Sequence, residues 1–334
     1  MSAPIVHGGG VTEAVAVFGG SPEDWLDLST GINPNPVALP DIPVSAWHRL
    51  PDRHLVDTAR SAAAGYYRSG PIQPLPVPGT QSVIQLLPRL AAQGGRIAIF
   101  APTYGEYARV FAAAGFRVDE ISTPDQLTPD HGLAVVVNPN NPTGRTYPPA
   151  DLVGMAKRMQ ANGGLLLVDE AFGDMQPGLS VVPSVASHGN LIVFRSFGKF
   201  FGLAGLRLGF VIAAESVLSA FQEWLGPWAV SGPALVTAAR LMGGDTQAVG
   251  AGISQRKAGL DAVLRQAELT VIGGTPLFAL VEHDRASDLH ERLCHARILT
   301  RKFSYAPFWL RIGLAPDVVG DTRLADALRN ADLA

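Results

Sequence analysis

The chain has 334 residues, 47% of them hydrophobic and 16% charged, with a formal net charge of −3. That balance suffices for one large domain with a smaller one attached and excludes a disordered chain, and the mild acidity gives no electrostatic footprint for nucleic acid. A single cysteine, Cys294, rules out an internal disulfide and fits a reducing cytoplasm, where a lone thiol among apolar neighbours is ordinarily packing.

Taken in order, Met1 to Gly10 have neither a basic start nor an apolar run, so no signal peptide is expected. Residues 1–40 are rich in Gly and Pro, with a capped helix expected from Ser21 through Leu26. Short, nearly continuous apolar runs follow at Arg96–Phe100, Leu133–Asn138, Leu165–Asp169, Leu191–Arg195 and Leu206–Ile212, the pattern of strands buried on both faces. Helices are expected between them at Tyr104–Ala114 and at Pro149–Ala161, the second closed by Asn162-Gly163-Gly164. Strands alternating with helices give an α/β fold with a mostly parallel sheet and right-handed crossovers. The most apolar stretch, Phe200 to Ala214, is broken by Arg207 and is too short to span a bilayer. Beyond Gly226-Pro227, helices are expected near Ala234–Met242 and Ala248–Gln266, and strands at Leu277–Val281 and Phe308–Ile312. The expected organisation is an amino-terminal arm (1–35), a large domain (36–227) and a smaller α+β domain (228–334).

Ligands of open parallel sheets bind beyond the carboxyl ends of the strands, and polar residues gather at four such ends: Pro102-Thr103-Tyr104, Asn138 to Gly144, Asp169-Glu170 and Ser196 to Lys199. Asp169 closes the run Leu165-Leu166-Leu167-Val168, so its carboxylate is desolvated and needs a cation or strong donor; a helix cap or an internal ion pair would also serve. Lys199 lies among Phe197, Phe200 and Phe201, a setting that depresses an amine pKa and favours carbonyl chemistry, although a snorkelling surface lysine reads the same way. A phosphate-binding P-loop is excluded at Gly198-Lys199, because Val193 stands where it needs glycine and Phe200 where it needs Ser or Thr. Gly8-Gly9-Gly10 follows no strand and is no dinucleotide fingerprint.

The set Asn138-Pro-x-Asn-Pro-Thr-Gly144, Asp169-Glu170-Ala171-Phe172, Ser196-x-x-Lys199 and Gly205-Leu-Arg207-x-Gly209 resembles the fold-type I pyridoxal-5′-phosphate (PLP) enzymes of aminotransferase class I/II. Its spacing is family-like: 28 residues from Asn141 to Asp169, 30 on to Lys199 and 8 on to Arg207. The resemblance implies PLP as cofactor and no metal, with Lys199 joined to its aldehyde as a Schiff base and Asp169 paired with its ring nitrogen. It further implies that Asn141 donates to the ring's phenolic oxygen, that Tyr104 stacks on the ring as a third catalytic group, and that Ser196 and Arg207 bind the phosphate. Gly79-Thr80-Gln81 resembles a helix start offering backbone N–H groups to that phosphate, and Pro88 predicts a kink or early end to this helix.

His7-Gly8-Gly9, Leu26-Asp27-Leu28-Ser29 and Gly31-Ile32-Asn33-Pro34 are similar to the family's branch that decarboxylates a phosphorylated amino acid in cobalamin biosynthesis. By that likeness His7 and Asn33 face the substrate, and Arg301 and Arg311 hold its phosphate and carboxylate; a mobile tail is the other reading of His7. The implied activity is decarboxylation of L-threonine O-3-phosphate, with transamination of a substrate such as histidinol phosphate as the alternative. A catalytically inert regulator would carry a DNA-binding arm and positive charge, which this chain does not. A homodimer, no membrane and no nucleic acid are expected. Two positions depart from the pattern: Leu50-Pro51-Asp52 stands where Tyr-Pro-Asp is usual, leaving His48, Arg49 or Arg53 to replace that tyrosine's contact, and Gly198 stands where Ser or Thr precedes the lysine.

Overall fold

A computed structural model describes residues 7–92 and 94–329. Most of the expectation for Met1–Gly10, and the outermost residues of the expected arm and small domain, lie outside them. The described residues divide into two compact units, one within 37–141 and 146–247, the other of 7–36, 142–145 and 248–329.

The larger unit carries a seven-stranded sheet: β1 (Leu75–Val77), β2 (Arg96–Phe100), β3 (Arg117–Ile121), β4 (His131–Val137), β5 (Leu165–Asp169), β6 (Leu191–Ser196) and β7 (Gly209–Ile212), in the order β1-β7-β6-β5-β4-β2-β3. The strands β3, β2, β4, β5 and β6 run parallel. Leu133, Val135, Leu166, Val168, Ile192 and Val193 are all fully buried, as continuous apolar runs under two covered faces require. α1 (Arg53–Tyr67) precedes the strands, α2 (Thr80–Ile84), α3 (Glu106–Ala113) and α4 (Pro149–Gln160) lie between them, and α5 (Glu215–Leu225) and α6 (Gly232–Met242) follow. Asp52 caps α1, its carboxylate accepting from the Leu55 N–H. α2 ends at Ile84, and a single 3-10 turn spans Pro88, as a proline without an N–H dictates.

Four features differ from the pattern read in the sequence. The last strand of this sheet begins at Gly209, because Ala204–Leu206 form a 3-10 turn and Arg207 takes a left-handed φ of 53°. It runs antiparallel to β6, since the short link between them, a helical turn and a 3-10 turn, is too brief for a parallel crossover. Second, α6 belongs to the larger unit, so the boundary falls after 247 and not at 228. Eight of its eleven residues are buried and it packs on α1; a helix apolar almost all round needs cover on several faces. Third, residues 142–145 leave with the smaller unit: a Cβ on Gly144 would lie 1.8 Å from the Gly274 carbonyl oxygen, and the Gly274 N–H donates to the Thr143 carbonyl. Fourth, Ser21 opens only a 3-10 turn, Pro22–Asp24. The Ser21–Asp24 capping box is present, but Trp25 turns extended and Leu26–Asp27 pairs in parallel with Ile298–Leu299.

The smaller unit has a four-stranded antiparallel sheet, β8 (Thr270–Thr275), β9 (Phe278–Glu282), β10 (Arg301–Phe303) and β11 (Ala306–Gly313), in the order β10-β11-β9-β8. Its longer helices are Gln247–Gln266, Ala286–His295 and Val318–Arg329. The amino-terminal helix Val11–Phe18 packs Ala14 with Trp25, Cys294 and Leu299. Cys294 is fully buried and its thiol is pushed up to about 11 by burial, so it is packing. Among the described residues no helix is long and apolar enough to cross a membrane.

Candidate active site

In the larger unit the carboxyl ends of β2, β4, β5 and β6 bring one set of side chains together. Asp169 ends β5 with 4% of its surface exposed. Its carboxylate accepts from the Tyr107 hydroxyl at 2.7 Å and the Ala171 N–H at 2.9 Å, both neutral donors. Burial raises its pKa above the usual carboxylate range, while Tyr107, Lys199, Ala171 and Arg195 pull the other way. The half-buried Lys199 stands on the helical turn Phe197–Phe200, its Nζ 4.9 Å from the centre of the Phe172 ring. A buried anion met mainly by neutral donors, with a lysine nearby, is chemically suited to a cationic ring N–H joined to an aldehyde that the amine can capture.

The other expected cofactor contacts lie in the same unit. A Cβ on Gly79 would come within 2.7 Å of Arg207 Nη2, so the glycine, at φ 73°, keeps open a cradle beside a guanidinium and the first N–H groups of α2. One on Gly209, which pairs with Ser196, would sit 3.0 Å from the Thr80 backbone nitrogen. Ser196, Thr80, Gly79 and Arg207 therefore line one contiguous stretch fit for a phosphate. In the Asn138 motif two asparagines serve structure. Asn138 donates to the Tyr147 and Leu179 carbonyls, and Asn140 accepts from Thr103 and donates to the Pro102 carbonyl. Asn141, next in the motif and half-buried, is the amide to which the family resemblance gives the ring oxygen.

Two neighbours of these side chains, Tyr107 and Glu106, carried no signal in the sequence, and a third, Arg195, is a structural charge. Tyr107, wholly buried, looks like an ordinary core aromatic of α3; only its position three residues after Tyr104, one helical turn on, hints that both face the same way. Its own pKa is raised well above 10 by burial and by Asp169, so it remains a donor. Glu106 receives Arg109 and the amides of Gln81 and Gln85. Arg195, on β6, is held by Glu170 at 2.7 Å and Asp174 at 3.1 Å and lies over the Tyr67 ring at 4.5 Å. Burial works against its charge, but Asp174 and Glu170 outweigh that and keep its pKa above the usual value. A Cβ on Gly198 would lie 2.6 Å from the Ala204 Cα, which accounts for glycine where the family pattern has a hydroxyl residue. Leu50 is 65% exposed.

The remaining candidates lie in the smaller unit. Arg301 on β10 and Arg311 on β11 are direct cross-strand partners. Arg311 is buried and donates to the Ser29 carbonyl at 2.6 Å; burial, with help from Arg301, lowers its pKa to about 10. Two arginines in one cross-strand register are chemically suited to an anion. Ser29 also meets the arm that carries His7: its hydroxyl accepts from the Gly9 N–H at 2.7 Å, and a Cβ on Gly8 would collide with its carbonyl at 2.4 Å. His7 itself is exposed. Asn33 is buried and closes a turn by accepting from the Asn35 N–H at 3.0 Å. Among the described residues, no three His, Cys, Asp or Glu side chains are grouped to hold a metal ion.

A family model described as aminotransferase class I and II matches residues 23–328. A threonine-phosphate decarboxylase from a Sinorhizobium species is 69% identical over 333 residues, covering 100% of both chains. A threonine-phosphate decarboxylase from Pseudomonas aeruginosa is 42% identical, with 96% of each covered. Among solved structures, the histidinol-phosphate aminotransferase of Sinorhizobium meliloti in complex with pyridoxal-5′-phosphate superposes with a TM-score of 0.83 over 98% of this chain and 96% of that one. At 19% identity it shows a shared fold.

Proposed function

The chain belongs to the aminotransferase class I and II family, and from that premise we propose that it is a PLP-dependent threonine-phosphate decarboxylase. It converts L-threonine O-3-phosphate to (R)-1-amino-2-propanol O-2-phosphate, a step of cobalamin biosynthesis. The observation that carries this reading is 69% identity to a threonine-phosphate decarboxylase along the whole chain.

PLP, when bound, supplies an electron sink conjugated to the substrate's Cα. The protein's own residues do the rest. Asp169 stays anionic to hold a proton on the ring nitrogen, a charge-assisted hydrogen bond worth about 1.5–3 kcal/mol. Lys199 would anchor the cofactor through its amine and is the group that would return a proton to the substrate's Cα. Tyr104 covers the ring face and Asn141 donates to the phenolic oxygen. Ser196, Arg207 and the backbone N–H groups of Gly79, Thr80 and Gln81 bind the cofactor phosphate. Arg301 and Arg311 take the substrate's phosphate and carboxylate, with His7 and Asn33 beside them. Which bond at Cα breaks depends on which one this clamp holds perpendicular to the ring.

In this reading the enzyme is a cytoplasmic homodimer. The exposed apolar side chains of Val44, Trp47, Leu50 and Trp228 on the larger unit favour a second copy as their cover.

The test is purified protein with PLP and L-threonine O-3-phosphate. Release of CO2 in step with an amino-alcohol phosphate is expected, and Lys199→Ala should lose the visible absorbance of lysine-bound cofactor and about 10²–10⁴-fold in rate. A keto product formed only with an amino acceptor present would replace this reading by transamination.

A further inference from the structure

We propose that Glu106 is a positioning residue for Tyr104, acting through Gln81. The inference rests on the reading above, in which the Tyr104 ring covers the cofactor.

Glu106 opens α3 with only 2% of its surface exposed. A carboxylate in the first turn of a helix suits the helix dipole, but that needs no burial, and a buried carboxylate must be met by donors. Arg109 meets it from one side at 2.5 Å. From the other side it accepts from Gln81 Nε2 at 2.9 Å and Gln85 Nε2 at 3.2 Å. Because a carboxylate only accepts, it fixes which way the Gln81 amide points. The Gln81 NH2 faces Glu106, so its carbonyl oxygen faces Tyr104, whose hydroxyl donates to it at 3.0 Å. Burial, with Glu106 and Asp169 adding to it, raises the Tyr104 phenol to about 12, which keeps it a donor. The Tyr107 ring stands edge-on to Tyr104 at 6.2 Å and 82° and confines its other side. Arg109, Glu106, Gln81 and Tyr104 thus form a polar chain that sets the Tyr104 ring plane before any ligand arrives, saving the ordering a loose ring would require.

The test compares Glu106→Gln, Gln81→Met and the unsubstituted protein, each alone and in a Tyr104→Phe background, loaded with PLP. A glutamine at 106 can present its own NH2 to Gln81 and release the amide; methionine at 81 removes both contacts at similar length. Both variants are expected to bind PLP about five- to tenfold more weakly, as the loss of one hydrogen bond implies. They should also lose visible circular dichroism per bound cofactor, while the cofactor-free melting temperature changes little. In the Tyr104→Phe background neither substitution should weaken PLP or alter the circular dichroism further. Equal losses with and without the Tyr104 hydroxyl, or unchanged circular dichroism in both single variants, would overturn the proposal and leave the cofactor reading intact. If Glu106→Gln does not fold, Gln81→Met decides alone. Failure of the unsubstituted protein to take up PLP would overturn both readings together.

Discussion

The two units handle charge in opposite ways. In the larger one, the buried anion Asp169 is wrapped by the Tyr107 hydroxyl and the Ala171 N–H, neutral donors that steady it without cancelling it. In the smaller one, two cations, Arg301 and Arg311, are set side by side by strand register. Arg195 shows what a purely structural charge looks like in the same protein: it is closed on both sides by Glu170 and Asp174 and covered by Tyr67. At Asp169 and Arg311, unlike Arg195, burial prevails and moves the pKa against the charge. A fold that keeps such charges forgoes some stability, and the gain appears when a ligand of opposite sign binds.

The contrast can be broken most severely at Asp169. Asp169→Asn keeps the shape and removes the charge, and is expected to lower kcat about 10²–10³-fold. Because burial already disfavours the charged form, the cofactor-free protein should melt no lower than the unsubstituted one, so rate and melting point move independently. A parallel fall in both would make Asp169 another Arg195, a structural charge.

At Arg311 the expected effect is smaller. Arg311→Gln should raise KM for L-threonine O-3-phosphate about 10–100-fold, the loss of a charge-assisted contact, with a lesser change in kcat and none in PLP absorbance. An unchanged KM would remove the arginine pair from the substrate site.

The smallest effect concerns pH. His290, hydrogen-bonded to Thr300, is lowered to about 4 by burial, with Lys302 and Arg301 contributing. Between about pH 6.5 and 4 the unfolded chain takes up a proton that the folded chain refuses, so stability falls as pH falls through that window. His290→Gln should flatten this slope by up to about 2 kcal/mol after allowing for solvent screening, read from urea midpoints at pH 7 and pH 4.5. An identical slope in the variant would assign the acid loss elsewhere.

How far the molecule was legible varied with the kind of signal. The runs Arg96–Phe100 and Leu165–Asp169 match β2 and β5 residue for residue, because doubly covered strands advertise themselves as unbroken apolar stretches. The strand expected from Leu206 begins three residues later, since a turn and a left-handed arginine are conformations an apolar run conceals. β3, with its mostly polar Arg117-Val118-Asp119-Glu120-Ile121, lies at a sheet edge and carries no such run. The site divides in the same way. Lys199, Asp169 and Asn141 stand at strand ends in motifs readable by residue type, whereas Tyr107 and Glu106 acquire their roles only from what they touch.

Local sequence alone settled the alternation of strands and helices, the run ending in a carboxylate at Asp169 and the lysine among phenylalanines, since each depends on neighbours a few residues away. Tertiary structure decided the rest: the direction of β7, the union of α6 with α1, the glycine at 198 beneath Ala204, the pairing of Arg301 with Arg311, and the chain from Arg109 to Tyr104. Each joins groups whose contact depends on how distant segments fold and how buried polar atoms are satisfied, and no local pattern of residues encodes that.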